Sequence, residues 1–220
     1  MNLIELKAAF EGLSVDKMTT IVSKHGVGKT SLLRAFISHL STIESETIVV
    51  IDGYNEMCGR MASGVAPENA DRVIYEYETC AALQRVDDVV SYLELLIKSG
   101  TKPTTVIIDS IDAFLSYSSH PRDSSIAELV YASKIYGFKL VVTSSLSTRS
   151  FELSAPRDVL LSIRSRSLFE MSPTILLATK DGTEEPDQMN VICVKSQISY
   201  GRNSLIHMPT FLAKYKLLAQ

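Results

Sequence analysis

The feature that most constrains this chain is a short stretch in which β-branched residues lead through small residues into an amphipathic helix. Residues 21–33 read IVSKHGVGKTSLL. Small residues let backbone N–H groups turn inward around a phosphate, and the N-terminus of the helix adds the positive end of its dipole. The stretch therefore predicts a phosphate-binding loop formed by Ser23, Lys24, His25, Gly26, Val27, Gly28, Lys29, Thr30 and Ser31.

Two side chains of this loop have the chemistry that the phosphates of a nucleotide need. Lys29 is expected to reach the β- and γ-phosphates, and the Thr30 hydroxyl is expected to coordinate Mg²⁺. The loop differs from the pattern G-x-x-x-x-G-K-[ST] at Ser23, which stands where the first glycine belongs. Because serine is also small, we expect the loop to close around phosphate all the same.

A second motif, TTVIIDS at 104–110, is a predicted strand that ends in an acid. The carboxyl ends of parallel strands face the crevice where ligands bind in open sheets. Asp109 is therefore predicted to hold the Mg²⁺ through water, so that the ion and Lys29 together offset the negative charge of the phosphates. The alternative is that Asp109 only caps the turn that follows it, as aspartate often does.

Hydrolysis needs a further acid to orient the attacking water, and the candidates follow the second predicted strand. In VVIDGYNEM we interpret Glu56 as the general base, because a loop at a strand end can direct it at the γ-phosphate. Asp52 is the competing candidate, and Glu76 and Glu78 are weaker ones after the third strand. For each of them, the alternative is a solvated loop acid without a catalytic role.

Short β-branched runs alternate with helical patterns along the sequence. The runs cover 18–22, 47–52, 72–77, 104–109, 138–143, 175–179, 190–195 and 204–208. Most lack polar/apolar alternation, which is typical of strands buried on both faces. Amphipathic helices are predicted over 30–40 and 86–97. This order predicts an α/β fold: a mostly parallel twisted sheet flanked by helices, with the strands in 175–208 as an antiparallel C-terminal edge extension.

Length and composition limit the alternatives. The chain has 220 residues, 45% of them hydrophobic, and no Pro/Gly/Ser-rich linker divides it, so we expect a single domain over 1–220. No window approaches the roughly 20 apolar residues of a membrane helix, and the first residues do not form a secretory signal. Three scattered cysteines and four scattered histidines predict no zinc site. These features indicate a soluble protein of the cytoplasm or nucleus that does not bind a membrane.

In their order, the motifs resemble the RecA-like ATPase core, the family of RecA recombinases, KaiC and the DnaB-type ring helicases. The resemblance covers about residues 12–208 and rests on FEGLSVDKMTTIVSKHGVGKTSL and YEYETCAALQRVDDVVSYLELLIKSGTKPTTVIIDSIDAF. It implies that the chain binds ATP with Mg²⁺ and hydrolyses it. The Asp109–Ser110 pair is typical of the recombinase and KaiC branches, whereas Ser23 and the Glu56–Met57 pair are closer to the helicase branch.

The segment FKLVVTSSLSTRS at 138–150 stands in the place of the family's sensor strand. The polar sensor, often glutamine in the family, would fall at Ser144 or Ser145. The resemblance therefore leaves two serines as candidates for contact with the γ-phosphate.

The segment NVICVKSQISYGR at 190–202 resembles the family's late strand, which reaches into the ATP site of a neighbouring subunit. Lys195 matches the first cation of that pattern, Gln197 stands where the second is expected, and Arg202 is a substitute for it. The resemblance implies a ring or filament, built from copies of this chain or from a paralogous RecA-like subunit. An ordinary cation at a strand end is the alternative for Lys195.

Two loops correspond to the family's DNA-contacting loops, 115–125 and 146–167. The second carries Arg149, Arg157, Arg164 and Arg166, and Phe151 could stack on a base. The net charge of −3 argues against a uniformly basic surface but allows one basic channel. We expect contact with single-stranded DNA, and the alternative is a loop of solvated arginines.

Three functions remain open. The first is a DNA-dependent ATPase of recombination and repair that pairs or anneals strands as an oligomer. The second is a hexameric helicase or packaging translocase. The third is a nucleotide-binding assembly subunit with little hydrolysis, which Gln197 and the serines of the sensor strand favour.

Overall fold

A computed structural model gives the structure of the chain. It describes residues 18–54, 57, 67–76, 83–115, 122–146, 163, 165–179, 188–195 and 210–216. Within these ranges, only the backbone is described for 122–123, 188–190, 192–193, 195 and 210–216.

Helices and strands alternate along the described residues. They are β1 (Met18–Ser23), α1 (Lys29–Ser41), β2 (Ile48–Asp52), a 3₁₀ helix (Pro67–Arg72), β3 (Val73–Glu76), α2 (Val86–Lys98), β4 (Thr105–Asp109), α3 (Asp112–Leu115), α4 (Arg122–Tyr136), β5 (Lys139–Ser145), α5 (Arg166–Met171), β6 (Thr174–Thr179), β7 (Gln188–Lys195) and β8 (Thr210–Lys216). The predicted helices over 30–40 and 86–97 are confirmed as α1 and α2.

The strands form one sheet in the order β3-β2-β4-β5-β1-β6-β7-β8. The first six are mutually parallel, and β7 and β8 are antiparallel to their neighbours. Every residue of β2 and β4 is buried, as the absence of polar/apolar alternation indicates. The predicted α/β fold with a mostly parallel sheet is confirmed.

The antiparallel extension starts one strand later than predicted. β6 pairs in parallel with β1, because the helix α5 precedes it and lets the chain cross back before the strand begins. Only β7 and β8 run antiparallel among the described strands. The last of these strands is Thr210–Lys216, whereas the strand predicted at 204–208 lies outside the described residues.

Apolar side chains fill both faces of the sheet. On one face α1 buries the predicted stripe of Leu32, Leu33, Phe36, Ile37 and Leu40. On the other face, α2 and α4 cover β2, β4 and β5, with Val89, Leu93 and Leu129 among the buried residues. Burial of a side chain of this size contributes roughly 1.5–3 kcal/mol, so these helices hold the carboxyl ends of the strands in place. None of the helices in the described ranges combines the length and hydropathy that crossing a bilayer requires.

Candidate nucleotide site

Four central strands end in a polar residue at the same edge of the sheet. Ser23, Asp52, Asp109 and Ser145 are the last residues of β1, β2, β4 and β5. Asp52 lies beside Asp109 in the register of β2 with β4, and Ser23 lies beside Ser145 in the register of β1 with β5. This carboxyl edge is where open parallel sheets bind ligands.

The loop from β1 to α1 has the backbone that phosphate binding requires. Gly26 and Gly28 have φ angles of 78° and 108°, which favour glycine over residues with a Cβ. Gly28 is the N-cap of α1 and contributes no side chain, and the first turn of the helix carries no acid. Lys24 and His25 are exposed, while Val27 packs partly against the core. The backbone N–H groups at the start of α1 are therefore not bound by an acid of the first turn, and no carboxylate there would repel an anion.

Lys29, the first residue of α1, reaches back to the ends of two strands. Its Nζ donates to Ser23 Oγ at 3.1 Å and to Ser145 Oγ at 3.3 Å. The Ser23 hydroxyl in turn donates to the carbonyl of Lys24 at 2.7 Å. The side chain of Lys29 is thus held over the strand ends, beside the phosphate-binding loop.

Thr30 and Asp109, the two predicted magnesium ligands, are in direct contact. The Thr30 hydroxyl donates to Asp109 Oδ2 at 2.8 Å, and the Thr143 hydroxyl donates to Asp109 Oδ1. Burial raises the pKa of the Asp109 carboxyl, and the charge of Asp52 adds to that shift, whereas the two threonine hydroxyls and the charge of Lys29 oppose it. A hydroxyl and a carboxylate are hard oxygen ligands, and a desolvated carboxylate gains from a divalent cation, so this pair fits Mg²⁺.

Asp52 is fully buried and already engaged in hydrogen bonds. Its Oδ2 accepts the backbone N–H of Met57 at 2.6 Å and the Tyr75 hydroxyl at 2.6 Å. Next to it, the Gly53 N–H donates to the Asp109 carbonyl at 2.7 Å, and a Cβ at Gly53 would lie 2.7 Å from the Cβ of Ala113. Asp52 Oδ2 therefore anchors the chain after β2, and the role of Asp52 as the competing general base stays a prediction.

The other candidates for the general base have less evidence in the structure. Glu56 lies outside the described residues, although its neighbour Met57 is fully buried. Glu76 is the last residue of β3 and is half-buried, and Glu78 lies outside the described residues. The assignment of Glu56 as the base stays a prediction.

The two sensor candidates have different surroundings. The Ser144 hydroxyl is buried and donates to Asp112 Oδ1 at 2.7 Å, whereas the Ser145 hydroxyl accepts from Lys29. The backbone N–H of Ser145 donates to Asp112 Oδ2 at 2.6 Å. Ser145, and not Ser144, is therefore the serine of β5 at the phosphate-binding loop.

Sequence reasoning missed Asp112 and Thr143, whose side chains form hydrogen bonds with the residues at this edge of the sheet. Asp112 holds the end of β5, and Thr143 holds the carboxylate of Asp109. A signal for both was present, since three hydroxyl residues end the apolar strand β5 and an acid follows Asp109 by one turn. However, a threonine or an aspartate at these positions does not by itself show which residue it bonds to, because the partners are brought together only by the fold.

The backbone of Lys195 lies two strands from β1 and is level with Thr20, three residues before the end of β1. In the antiparallel register Lys195 is opposite Ile175, and Ile175 is beside Thr20 near the start of β1. The loop follows the other end of β1, at Ser23. The backbone of Lys195 is therefore displaced toward the amino edge of the sheet.

The predicted DNA-contacting loops are shorter than expected. Helix α4 begins at Arg122, inside the loop predicted over 115–125, and α5 begins at Arg166, inside the loop predicted over 146–167. Arg166 is exposed and its Nε is 2.6 Å from Glu170 Oε1, so an ion pair within one helix engages it. Arg149, Arg157 and Arg164 lie outside the described residues. An antiparallel bridge between Leu146 and Ile163 brings the two ends of the intervening segment together next to Ser145.

Known proteins resemble this chain in structure rather than in sequence. No family model matches it, and no curated protein matches it in sequence. One solved ATPase domain superposes with a TM-score of 0.62 at 14% identity, over 83% of this chain and 78% of that one. The RadB recombinase superposes with a TM-score of 0.56 at 15% identity, over 82% of this chain and 81% of the recombinase.

A DnaB-like replicative helicase gives a TM-score of 0.65 at 14% identity, over 83% of this chain and 54% of the helicase. This chain thus spans about half the length of that helicase. With the strand order, these similarities show that the chain has the RecA-like fold.

Proposed function

We propose that this chain binds ATP with Mg²⁺ at the carboxyl edge of its sheet, hydrolyses it, and acts as an oligomer on single-stranded DNA in recombination or repair. The observation that carries the proposal is the contact of Thr30 with Asp109 beside the loop that bears Lys29. Two motifs far apart in sequence supply a hydroxyl, a carboxylate and an ammonium at one place, which is the set that triphosphate binding needs.

Each of these residues has a distinct task in the proposed reaction. The Lys29 ammonium would bind the β- and γ-phosphates, and the backbone N–H groups at the start of α1 would surround them. Thr30 and Asp109 would hold Mg²⁺, which supplies neutralisation of phosphate charge. The raised pKa of Asp109 supports this assignment, because a bound cation offsets the burial of its charge.

Glu56 remains the proposed general base, with Asp52 as its positioning residue. Asp52 accepts the N–H of Met57, the residue that follows Glu56, so it limits where the loop can lie. An acid that receives two hydrogen bonds on one oxygen while fully buried is poorly placed to take a proton from water. This division of tasks supports Glu56 over Asp52.

The position of Lys195 supports an oligomer. Its backbone lies toward the amino edge of the sheet, so it is poorly placed for the site of its own chain. A neighbouring subunit could instead receive it, and a cation supplied across an interface stabilises charge in the transition state. The active site would then be complete only in a ring or filament.

The DNA-binding part of the proposal rests on the segment between Leu146 and Ile163. Its two ends, Leu146 and Ile163, meet next to Ser145. The sequence between them contains Arg149 and Arg157, and Arg164 follows. Such a segment could respond to the nucleotide and bind the phosphate backbone of DNA. The RadB recombinase, whose fold is similar, is by its name a recombinase.

Steady-state ATP hydrolysis with and without single-stranded DNA tests the proposal, on wild type, Lys29→Ala and the matched control Lys98→Ala. Lys98 is an exposed lysine on α2 that pairs with Glu94 away from the site. We expect stimulation by DNA in wild type and in the control, and no turnover in Lys29→Ala. Turnover that is indifferent to DNA would contradict the DNA part, and binding without any turnover would point to a nucleotide-gated assembly subunit.

A helicase or packaging translocase is the second candidate. The similarity to a DnaB-like replicative helicase favours it, as does Ser23 in the phosphate-binding loop. Strand displacement driven by ATP on a forked duplex would distinguish it from strand pairing. Annealing of complementary strands without displacement would favour the recombination function.

A further inference from the structure

The ammonium of Lys29 lies between two serine hydroxyls that come from neighbouring strands. Ser23 Oγ is 3.1 Å and Ser145 Oγ is 3.3 Å from Lys29 Nζ. We propose that these two hydroxyls form a cradle that positions the Lys29 ammonium for phosphate, so that both serines are positioning residues for ATP binding. The cradle rests on the proposed function, since its purpose is to hold a phosphate-binding cation.

A lysine gains from such a cradle because its side chain is long and flexible. Ordering it on binding costs rotamer entropy, and a side chain ordered in advance avoids much of that loss. The Ser23 hydroxyl donates a hydrogen bond to the Lys24 carbonyl, so its oxygen is left to accept a hydrogen bond from Nζ. A glycine at this position would supply no such oxygen.

The backbone around the cradle is fixed on both strands. Ser23 and Ser145 are register partners, and the N–H of Leu146 donates to the Ser23 carbonyl at 2.9 Å. The N–H of Ser145 is bound by Asp112. Both hydroxyls are therefore carried by an ordered part of the sheet, so the position of Nζ depends on β5 as well as on the phosphate-binding loop.

It follows that Ser23 is a functional residue and not merely a small substitute for the first glycine of the loop. Replacing it by glycine restores the G-x-x-x-x-G-K-[ST] pattern but removes one side of the cradle. If only size matters, Ser23→Gly binds ATP as well as wild type or better. If the hydroxyl matters, Ser23→Gly and Ser23→Ala both bind ATP more weakly.

The first test measures the dissociation constant for MgATP in wild type, Ser23→Gly, Ser23→Ala and Ser145→Ala. Loss of one hydrogen bond of ordinary strength predicts dissociation constants about 3-fold to 10-fold higher in each variant. Ser133→Ala is the matched control, because Ser133 is a buried serine whose hydroxyl donates within α4, to the Val130 carbonyl. Values equal to wild type in all three cradle variants would overturn the proposal.

The second test needs no nucleotide. Brief acetylation with acetic anhydride, read by mass spectrometry of the peptide that contains Lys29, reports how tightly the ammonium is held. We expect faster acetylation of Lys29 in Ser23→Ala and Ser145→Ala than in wild type or Ser133→Ala, with thermal unfolding as the check on folding. If an alanine variant does not fold, Ser23→Cys or Ser145→Cys fills the space of the hydroxyl and replaces oxygen by a weak sulfur acceptor.

The two tests separate failure of the cradle from failure of the proposed function. If wild type does not bind MgATP, the proposed function is wrong, and the acetylation rates alone decide whether the cradle holds Lys29. If wild type binds MgATP and neither affinity nor acetylation changes in the serine variants, the cradle is wrong and the proposed function stands.

Discussion

The two edges of the parallel sheet each hold a carboxylate bound by threonine hydroxyls, but the two carboxylates differ in burial and in the charges around them. At the amino edge, Glu46 accepts from Thr105 at 3.0 Å and from Thr104, and the Lys139 ammonium lies 3.8 Å away. At the carboxyl edge, Asp109 accepts from Thr30 and Thr143.

The difference between the two edges lies in burial and in the balance of charge around each carboxylate. Glu46 has a cation within ion-pair distance and keeps some contact with solvent, with 12% of its side chain exposed. Asp109 is more deeply buried, and although the charge of Lys29 opposes that of Asp52, its pKa is raised, mainly by desolvation. Threonine hydroxyls thus bind both carboxylates, but the two carboxylates differ in role. Glu46 has a structural role, whereas the charged form of Asp109 is the one that a bound cation would stabilise more.

The largest expected effect separates the two carboxylates by activity. Asp109→Asn keeps the shape of the side chain but removes the charge that would hold Mg²⁺, and loss of one such electrostatic partner lowers turnover by about 10²–10³-fold. Glu46→Gln makes the same chemical change at the amino edge, and we expect wild-type turnover. Steady-state ATP hydrolysis on both variants is the measurement, and equal losses would break the comparison.

The next effect separates the two acids of the carboxyl edge. Both hydrogen bonds to Asp52 end on one oxygen, which an asparagine can supply, so Asp52→Asn is expected to retain most of the activity. Asp52→Ala removes the anchor of the Glu56 loop and is expected to lower kcat by up to about 10²-fold through misplacement of the base.

Kinetics of these two variants and of Glu56→Gln, with kcat and KM measured separately, provide the check. A loss in Asp52→Asn as large as that in Glu56→Gln would identify Asp52 as the base and remove the role of anchor.

A smaller effect concerns stability at the amino edge. Glu46→Ala leaves the hydroxyls of Thr104 and Thr105 without this acceptor and Lys139 without its ion-pair partner. We expect a loss of about 1–3 kcal/mol in the free energy of unfolding, with unchanged affinity for ATP. Urea unfolding measures the first and nucleotide titration the second; weaker ATP binding in this variant would show that the two edges are coupled.

The smallest effect is the pH dependence contributed by Asp109. Because its pKa is raised in the folded state, its contribution to stability is fully present below the pKa of the unfolded chain and is lost as pH rises through the folded pKa. Without Mg²⁺, Asp109→Asn should therefore be more stable than wild type at neutral pH, and this advantage should vanish in acid. Urea unfolding of both proteins at neutral pH and in acid tests the sign of this difference in stability.

Magnesium should raise the stability of wild type at neutral pH but not that of Asp109→Asn, because an ion that binds only the native state stabilises it. A rise of the unfolding midpoint with Mg²⁺ that is equal in wild type and Asp109→Asn would contradict the assignment of Asp109 as a ligand.

The sequence by itself predicted the parts of this protein that depend on local pattern. Unbroken apolar runs predicted the buried strands, and the apolar stripes predicted α1 and α2, because burial and helical periodicity leave a direct mark on residue order. The loop between β1 and α1 was predictable because Gly26, Gly28 and Lys29 lie within four residues of one another in the sequence.

Only the tertiary structure decided which polar residues meet across strands. The fold brings Ser145, and not Ser144, into contact with Lys29, and it gives Asp52 two hydrogen-bond donors. It places Thr143 against Asp109 and Asp112 against the end of β5. It also pairs β6 in parallel with β1. Those outcomes depend on strand order and register, which bring together residues distant in sequence. Residue types alone do not encode these pairings, since a one-residue change of register would present different side chains at the edge.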